Sequence, residues 1–252
     1  MSLVPDHASW FSPEGLSYRI RKIVTQGFSL DSSVLIYGVG FKPRCAMRTN
    51  HAAWIGLFIL ATLFALAAKY YPYFPGDITL ERLVQSLVPQ NLNWAVKVSR
   101  TAEFPWILLI LALVFFLSWI LAGWRSAILS IFSFAGMLAL GLWLGPVIAR
   151  PRPSPELVQV FRPLTGYSFP SLFGLRYAAT FGFLTVLALT KSSGVLRTAL
   201  VIVCSAVLVL GWGARVALGA HWPSDVTLSY YIGLLWAAFL IRFFPFNRKI
   251  SS

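Results

Sequence analysis

Three short stretches gather the polar residues of an otherwise apolar chain: GPVIARPRPSP at 145–155, TGYSFPSLFGLRYAAT at 165–180 and ARVALGAHWPSDVTLSYYIG at 214–233. The last carries Arg215, His221 and Asp225. An Asp four residues after a His can accept its Nδ1–H, which fixes the tautomer and leaves Nε2 free as a nucleophile. In the first stretch Arg150 and Arg152 alternate with prolines, which stiffen the backbone that carries them. Arginine grips phosphate oxygens with two parallel donors, although a pair at a membrane helix end also anchors to lipid headgroups. In the second stretch Ser171 runs into an apolar helix, where free N–H groups favour an anion; an ordinary serine cap fits equally. Spaced Arg, His and Asp beside two other polar helix ends point to a functional site rather than to chance. Cysteines, histidines and carboxylates are too scattered for a metal site, and no cofactor is expected.

The composition sets the solvent for this chemistry. Of 252 residues, 58% are hydrophobic and 12% charged, whereas soluble domains hold roughly 25% charged residues. A soluble enzyme, a disordered tail and a disulfide scaffold are excluded. Cys204 lies in an apolar run, so a bridge to Cys45 is not expected. The net charge of +13 in such a chain suits anionic lipid headgroups or phosphate substrates rather than nucleic acid.

The elements that must position the polar stretches are membrane helices. A span needs about 20 mostly apolar residues, and the sequence predicts six: 52–70, 105–124, 127–149, 172–190, 195–214 and 226–244. The expected fold class is therefore all-α, a polytopic six-helix membrane bundle. Arg19, Arg21, Lys22, Lys42, Arg44 and Arg48 precede the first span. Arg125, Lys191, Arg197, Arg248 and Lys249 fall on the same side. The positive-inside bias puts that side, and both termini, in the cytoplasm. Residues 1–51 form a basic cytoplasmic segment, 52–244 the membrane domain and 245–252 a cytoplasmic tail. Leu16, Ile20, Ile23, Val24 and Phe28 recur at helical spacing, which fits an interfacial helix or a loosely ordered basic tail. In 72–104 a Pro-Gly break leads to Asp77 as a cap, with Leu80, Leu83, Val84 and Leu87 on one helix face. Nothing suggests the paired broken helices of a secondary transporter.

At these motifs the sequence resembles the type 2 phosphatidic acid phosphatase superfamily, whose patterns are K-x6-R-P, P-S-G-H and S-R-x5-H-x3-D. Arg215, His221 and Asp225 match the third, with Ala214 in place of Ser; Arg152-Pro153 match the end of the first, with Gly145 at the Lys position; Pro170-Ser171 match the second, with Leu172-Phe173 in place of Gly-His. With an insertion in the alignment, Arg176 would be an offset substitute. The resemblance spans roughly 75–245. It implies that His221 attacks phosphorus to form a phosphohistidine, with Asp225 orienting it. Arg152, Arg215 and Ser171 would hold the phosphate oxygens, supported by Arg150 and Arg176.

The family's second histidine, which protonates the leaving group, has no counterpart: His7 and His51 precede the first span. General-acid help is worth about 10²–10⁴-fold. Two readings therefore stand. In one, the protein is a lipid phosphatase or diphosphatase at the non-cytoplasmic face, and a lipid diphosphate is favoured as substrate because the monophosphate it expels is far less basic than an alkoxide. In the other, hydrolysis is lost and the pocket binds or transports an anionic phospholipid or polyprenyl phosphate. The expected setting is a bacterial inner (plasma) membrane, with the site facing the periplasm or exterior.

Overall fold

The computed structural model describes residues 51–161 and 163–244. The expected N-terminal helix or tail and the C-terminal tail lie outside them. The described residues form eight helices. These are α1 His51–Tyr70, α2 Asp77–Leu87, α3 Asn93–Arg100, α4 Trp106–Ala122, α5 Trp124–Ile148, α6 Leu172–Lys191, α7 Gly194–Ala217 and α8 Pro223–Phe243. No strand occurs among them. Five are long and apolar enough to cross a membrane; the sixth, α4, is a shorter apolar helix of 17 residues, about 26 Å long. Large apolar side chains such as Ile55, Leu63, Leu109, Ile120, Trp143 and Val209 face outward. This is the pattern of a bundle whose solvent is lipid.

Helix α6 is the centre. Of its most apolar stretch 72% is buried, against 17% for α1 and α7. It packs on α5, α7 and α8, and a π-helical segment at Ala178–Gly182 interrupts it where Gly233 of α8 presses on Ala178. Phe183, Leu184 and Leu187 form the core of its second half with Val114, Cys204 and Ala237. Helices α4 and α5 make a hairpin through Gly123 alone.

The short helix α2 departs from expectation in the part played by its acidic residues, not in its apolar face. Its apolar residues Leu80, Leu83 and Leu87 are exposed, and its acidic residues Asp77 and Glu81 are buried. Nor does Asp77 cap its own helix. It accepts the backbone N–H of Phe74 at 2.7 Å and that of Ser224 at 2.9 Å, so it serves the first turn of α8. The reason is the solvent: a helix at the membrane edge turns its leucines to lipid and its polar face to the charged end of the bundle.

Candidate active site

At that end, where α5 and α7 finish and α6 and α8 begin, a cavity of about 370 Å³ opens. Arg152, Arg176, Arg215 and His221 line it, with Glu103, Tyr167 and Phe173. None of the three arginines forms an ion pair with a carboxylate among the described residues.

His221 lies in the turn between α7 and α8, 3% exposed. Gly219 makes this turn possible. It adopts φ +62°, and a Cβ there would lie 2.2 Å from the Gln159 carbonyl, so only glycine lets the two loops close. His221 Nδ1 donates to the Ser168 carbonyl at 2.6 Å. In the neutral ring this leaves the lone pair on Nε2, toward which Arg152 Nη1 donates at 3.3 Å. Burial lowers the His221 pKa well below its ordinary 6.5, and the positive charges of Arg215 and Arg152 lower it further. The imidazole is thus held in its neutral form.

Arg152 is held from behind by the carbonyls of Ala220 (Nη1, 2.6 Å) and Thr165 (Nε, 3.3 Å). Burial lowers its pKa, with Asp225 opposing. Arg215 donates to Ser99 Oγ and lies over the Phe173 ring, 5.4 Å from its centroid. Arg176 Nη1 donates to the Ala102 carbonyl at 2.7 Å. The Nε groups of Arg215 and Arg176 are buried without a hydrogen-bond partner. Unpaired donors on cations cost free energy unless an anion meets them.

Three expectations change. Asp225 does not touch His221. It is fully buried and accepts from Ser168 Oγ and Arg150 Nη1. It is linked to the imidazole through Ser168, whose carbonyl accepts the Nδ1–H hydrogen bond. Arg150 is not on the cavity wall either. It is buried, bonded to Asp225, to Asp77 (3.3 Å), to Ser224 Oγ (3.0 Å) and to the Tyr71 carbonyl (3.0 Å). Ser171 is a cap: its Oγ accepts the Gly174 N–H at 3.2 Å, and its own N–H donates to Ser229 Oγ. Arg152, Arg215 and His221 do converge, and Arg176 joins them.

Sequence reasoning missed Ser168, Ser99, Asp77 and Glu103. Ser168 acts mainly through a backbone carbonyl, which no side-chain motif reports. The apolar face of α2 gave no sign that its polar residues clamp the arginine loop: Arg82 donates twice to the Leu157 carbonyl, and Gln85 bonds both backbone groups of Gln159. Two of the positions that depart from the resemblance, Gly145 and Phe173, also line the cavity. Phe173 packs on Ala102, Tyr177 and Leu208. Gly145 is nearly bare, a Cβ there meeting only Tyr167 at 3.8 Å. Among the described residues no group of three His, Cys, Asp or Glu is placed to hold a metal.

Comparison with known proteins agrees with this architecture. No curated protein matches the chain significantly. One similar solved structure is described as the first transmembrane PAP2 type phosphatidylglycerolphosphate phosphatase from Bacillus subtilis. It shares 20% identity and superposes with a TM-score of 0.59 over 79% of this chain and 98% of its own. Likeness at that identity shows the fold. Residues 126–249, which carry all three polar stretches, match the family model of the PAP2 superfamily. This apolar bundle is an integral membrane protein, and its segment from α5 to the end of α8 is similar to the PAP2 superfamily.

Proposed function

We propose that the protein hydrolyses a lipid-borne phosphate or diphosphate through a phosphohistidine on His221. The observation that carries this reading is the cavity itself: three arginines without carboxylate partners beside a neutral histidine whose Nε2 lone pair meets only the Arg152 guanidinium. Arg152, Arg176 and Arg215 hold the non-bridging oxygens, stabilising the charge that develops at phosphorus. Ser168 holds the imidazole, and Asp225 holds Ser168. Arg125, Lys191 and Arg197 lie at the opposite end of the bundle, so the positive-inside bias favours a cavity at the non-cytoplasmic face.

Phe173 stands where the family places a proton donor, which favours a leaving group that departs as a weak base. A lipid diphosphate, cleaved to a lipid monophosphate and phosphate, meets that demand better than a simple phosphomonoester. The test is phosphate release by the purified protein from a polyprenyl diphosphate and from phosphatidylglycerolphosphate, side by side. Faster turnover of the diphosphate is expected, and His221→Ala should abolish it. Equal rates would defeat the leaving-group argument. Retained lipid binding without turnover of either substrate would favour the second reading, a binding or transport protein, which the bare Gly145 and the apolar Phe173 also support.

A further inference from the structure

One group on the cavity wall is at odds with a site built for anions. Glu103 lines the same cavity as Arg152, Arg176, Arg215 and His221, and is the sole carboxylate on its wall among the described residues. A negative charge there works against binding a phosphate, so a purely anion-binding pocket gains nothing from it. Its side chain makes no hydrogen bond or ion pair among the described residues, although its charge acts on Arg176 and Arg215. Its backbone, by contrast, is fixed. The Glu103 N–H donates to the Arg100 carbonyl at 2.9 Å, and its carbonyl accepts from Ile107 at 2.9 Å. The preceding residue, Ala102, is gripped by Arg176 and packs on Phe173. The turn between α3 and α4 thus presents a free carboxylate to the cavity from beside the Phe173 ring. Glu103 is also exposed, so a proton taken inside can leave to water.

We propose that Glu103 is the general base of the hydrolytic half-reaction, which rests on the phosphohistidine reading above. In the first half, the Nε2 lone pair of His221 forms a bond to the terminal phosphorus. The bridging P–O bond breaks, and the lipid monophosphate leaves with the electron pair, needing no proton. In the second half, water attacks the phosphohistidine. As the new P–O bond forms, the N–P bond breaks and its electrons return to Nε2. The proton lost by water passes to the Glu103 carboxylate and from there to solvent. An ionised carboxylate accepts hydrogen bonds and donates none, which suits it to this step and not to leaving-group protonation.

The experiment is rapid-quench kinetics on the full-length protein in lipid nanodiscs, with a polyprenyl diphosphate labelled at the terminal phosphate. In Glu103→Gln, one equivalent of lipid monophosphate per protein should appear in a burst. Phosphate release should then slow by about 100-fold or more, while acid-labile, base-stable label accumulates on His221. Glu103→Asp should recover part of the rate. Unchanged phosphate release in Glu103→Gln overturns the proposal. So does equal slowing of both halves without trapped label, which would make Glu103 a positioning group for Arg176. A wild-type protein that never labels His221 overturns the phosphohistidine reading and this inference together, whereas a labelled wild type with an unaffected Glu103→Gln overturns only the role of Glu103.

Discussion

Arg150 and Arg152 are two residues apart, share the same proline-stiffened strand of chain, and have opposite fates. Arg150 is 1% exposed and enclosed by Asp77, Asp225 and Ser224. Arg152 is half-buried beside His221 and meets only carbonyls and the imidazole. Both cations have left water. For one, the fold supplies the counter-charge; for the other it does not. A buried cation with fixed anions is structure, and one without them is a place for an anionic ligand. The turn at Ala149, in the left-handed conformation at φ 53°, ends α5 and sets this alternation.

The sharpest way to break that comparison is to remove each guanidinium in turn. Arg150→Met should destabilise the protein by ~3–5 kcal/mol, because Asp225 and Asp77 would remain buried without their cation. Arg152→Met should cost only about 1–2 kcal/mol, the value of its carbonyl bonds, yet lower turnover by on the order of 10²–10³-fold. Thermal unfolding in detergent, read beside phosphate release, separates the two. Similar stability losses in both variants would erase the distinction.

Charge without geometry is the next test. Arg215→Lys keeps the positive charge against Phe173 but loses the planar fork. Turnover should fall roughly 10- to 100-fold, the scale of one charge-assisted bond, with little change in melting temperature. A full-rate Lys variant would mean that the cavity senses charge alone.

The buried network has a pH signature of its own. Glu81 is completely buried with both oxygens unpartnered, and desolvation, with Asp77 and Asp225 nearby, pushes its pKa up to about 9. The folded state therefore keeps a proton that the unfolded chain releases above its ordinary 4.5. Folded protein binds more protons across this window, so stability should decline as pH rises from about 5 to about 9. Glu81→Gln should flatten that decline; an unchanged slope would assign it to other groups.

The smallest effect belongs to the cavity. His221 should remain neutral in NMR titrations of the ligand-free protein through pH 6.5, protonating only well below it. The unfolded chain binds that proton first, so His221 contributes a loss of stability as pH falls below 6.5. Protonation near 6.5 would show that the arginines and burial do not govern it.

Hydropathy by itself located the membrane helices within about three residues at nearly every end: 172–190 became Leu172–Lys191, and 52–70 became His51–Tyr70. This works because each lipid-spanning helix satisfies its own backbone and must be apolar along its length, which makes it a local property of the chain. The same logic singled out Arg152, Arg215 and His221, since isolated charges in such a chain are rare and must be accommodated. Which charge pairs with which is not local. Asp225 is four residues from His221, but the turn into α8 points it at Arg150 and Ser168 instead. Asp77, distant in sequence, completes the same network. The 3.6 period put Leu80, Leu83 and Leu87 on one face of α2, but a period shows only that a helix has two sides; the structure turned that face outward and buried Asp77 and Glu81. The tertiary structure made those decisions by bringing the ends of α5, α6, α7 and α8 together. There, the number of anions available to each buried cation separates a structural arginine from one that awaits a ligand.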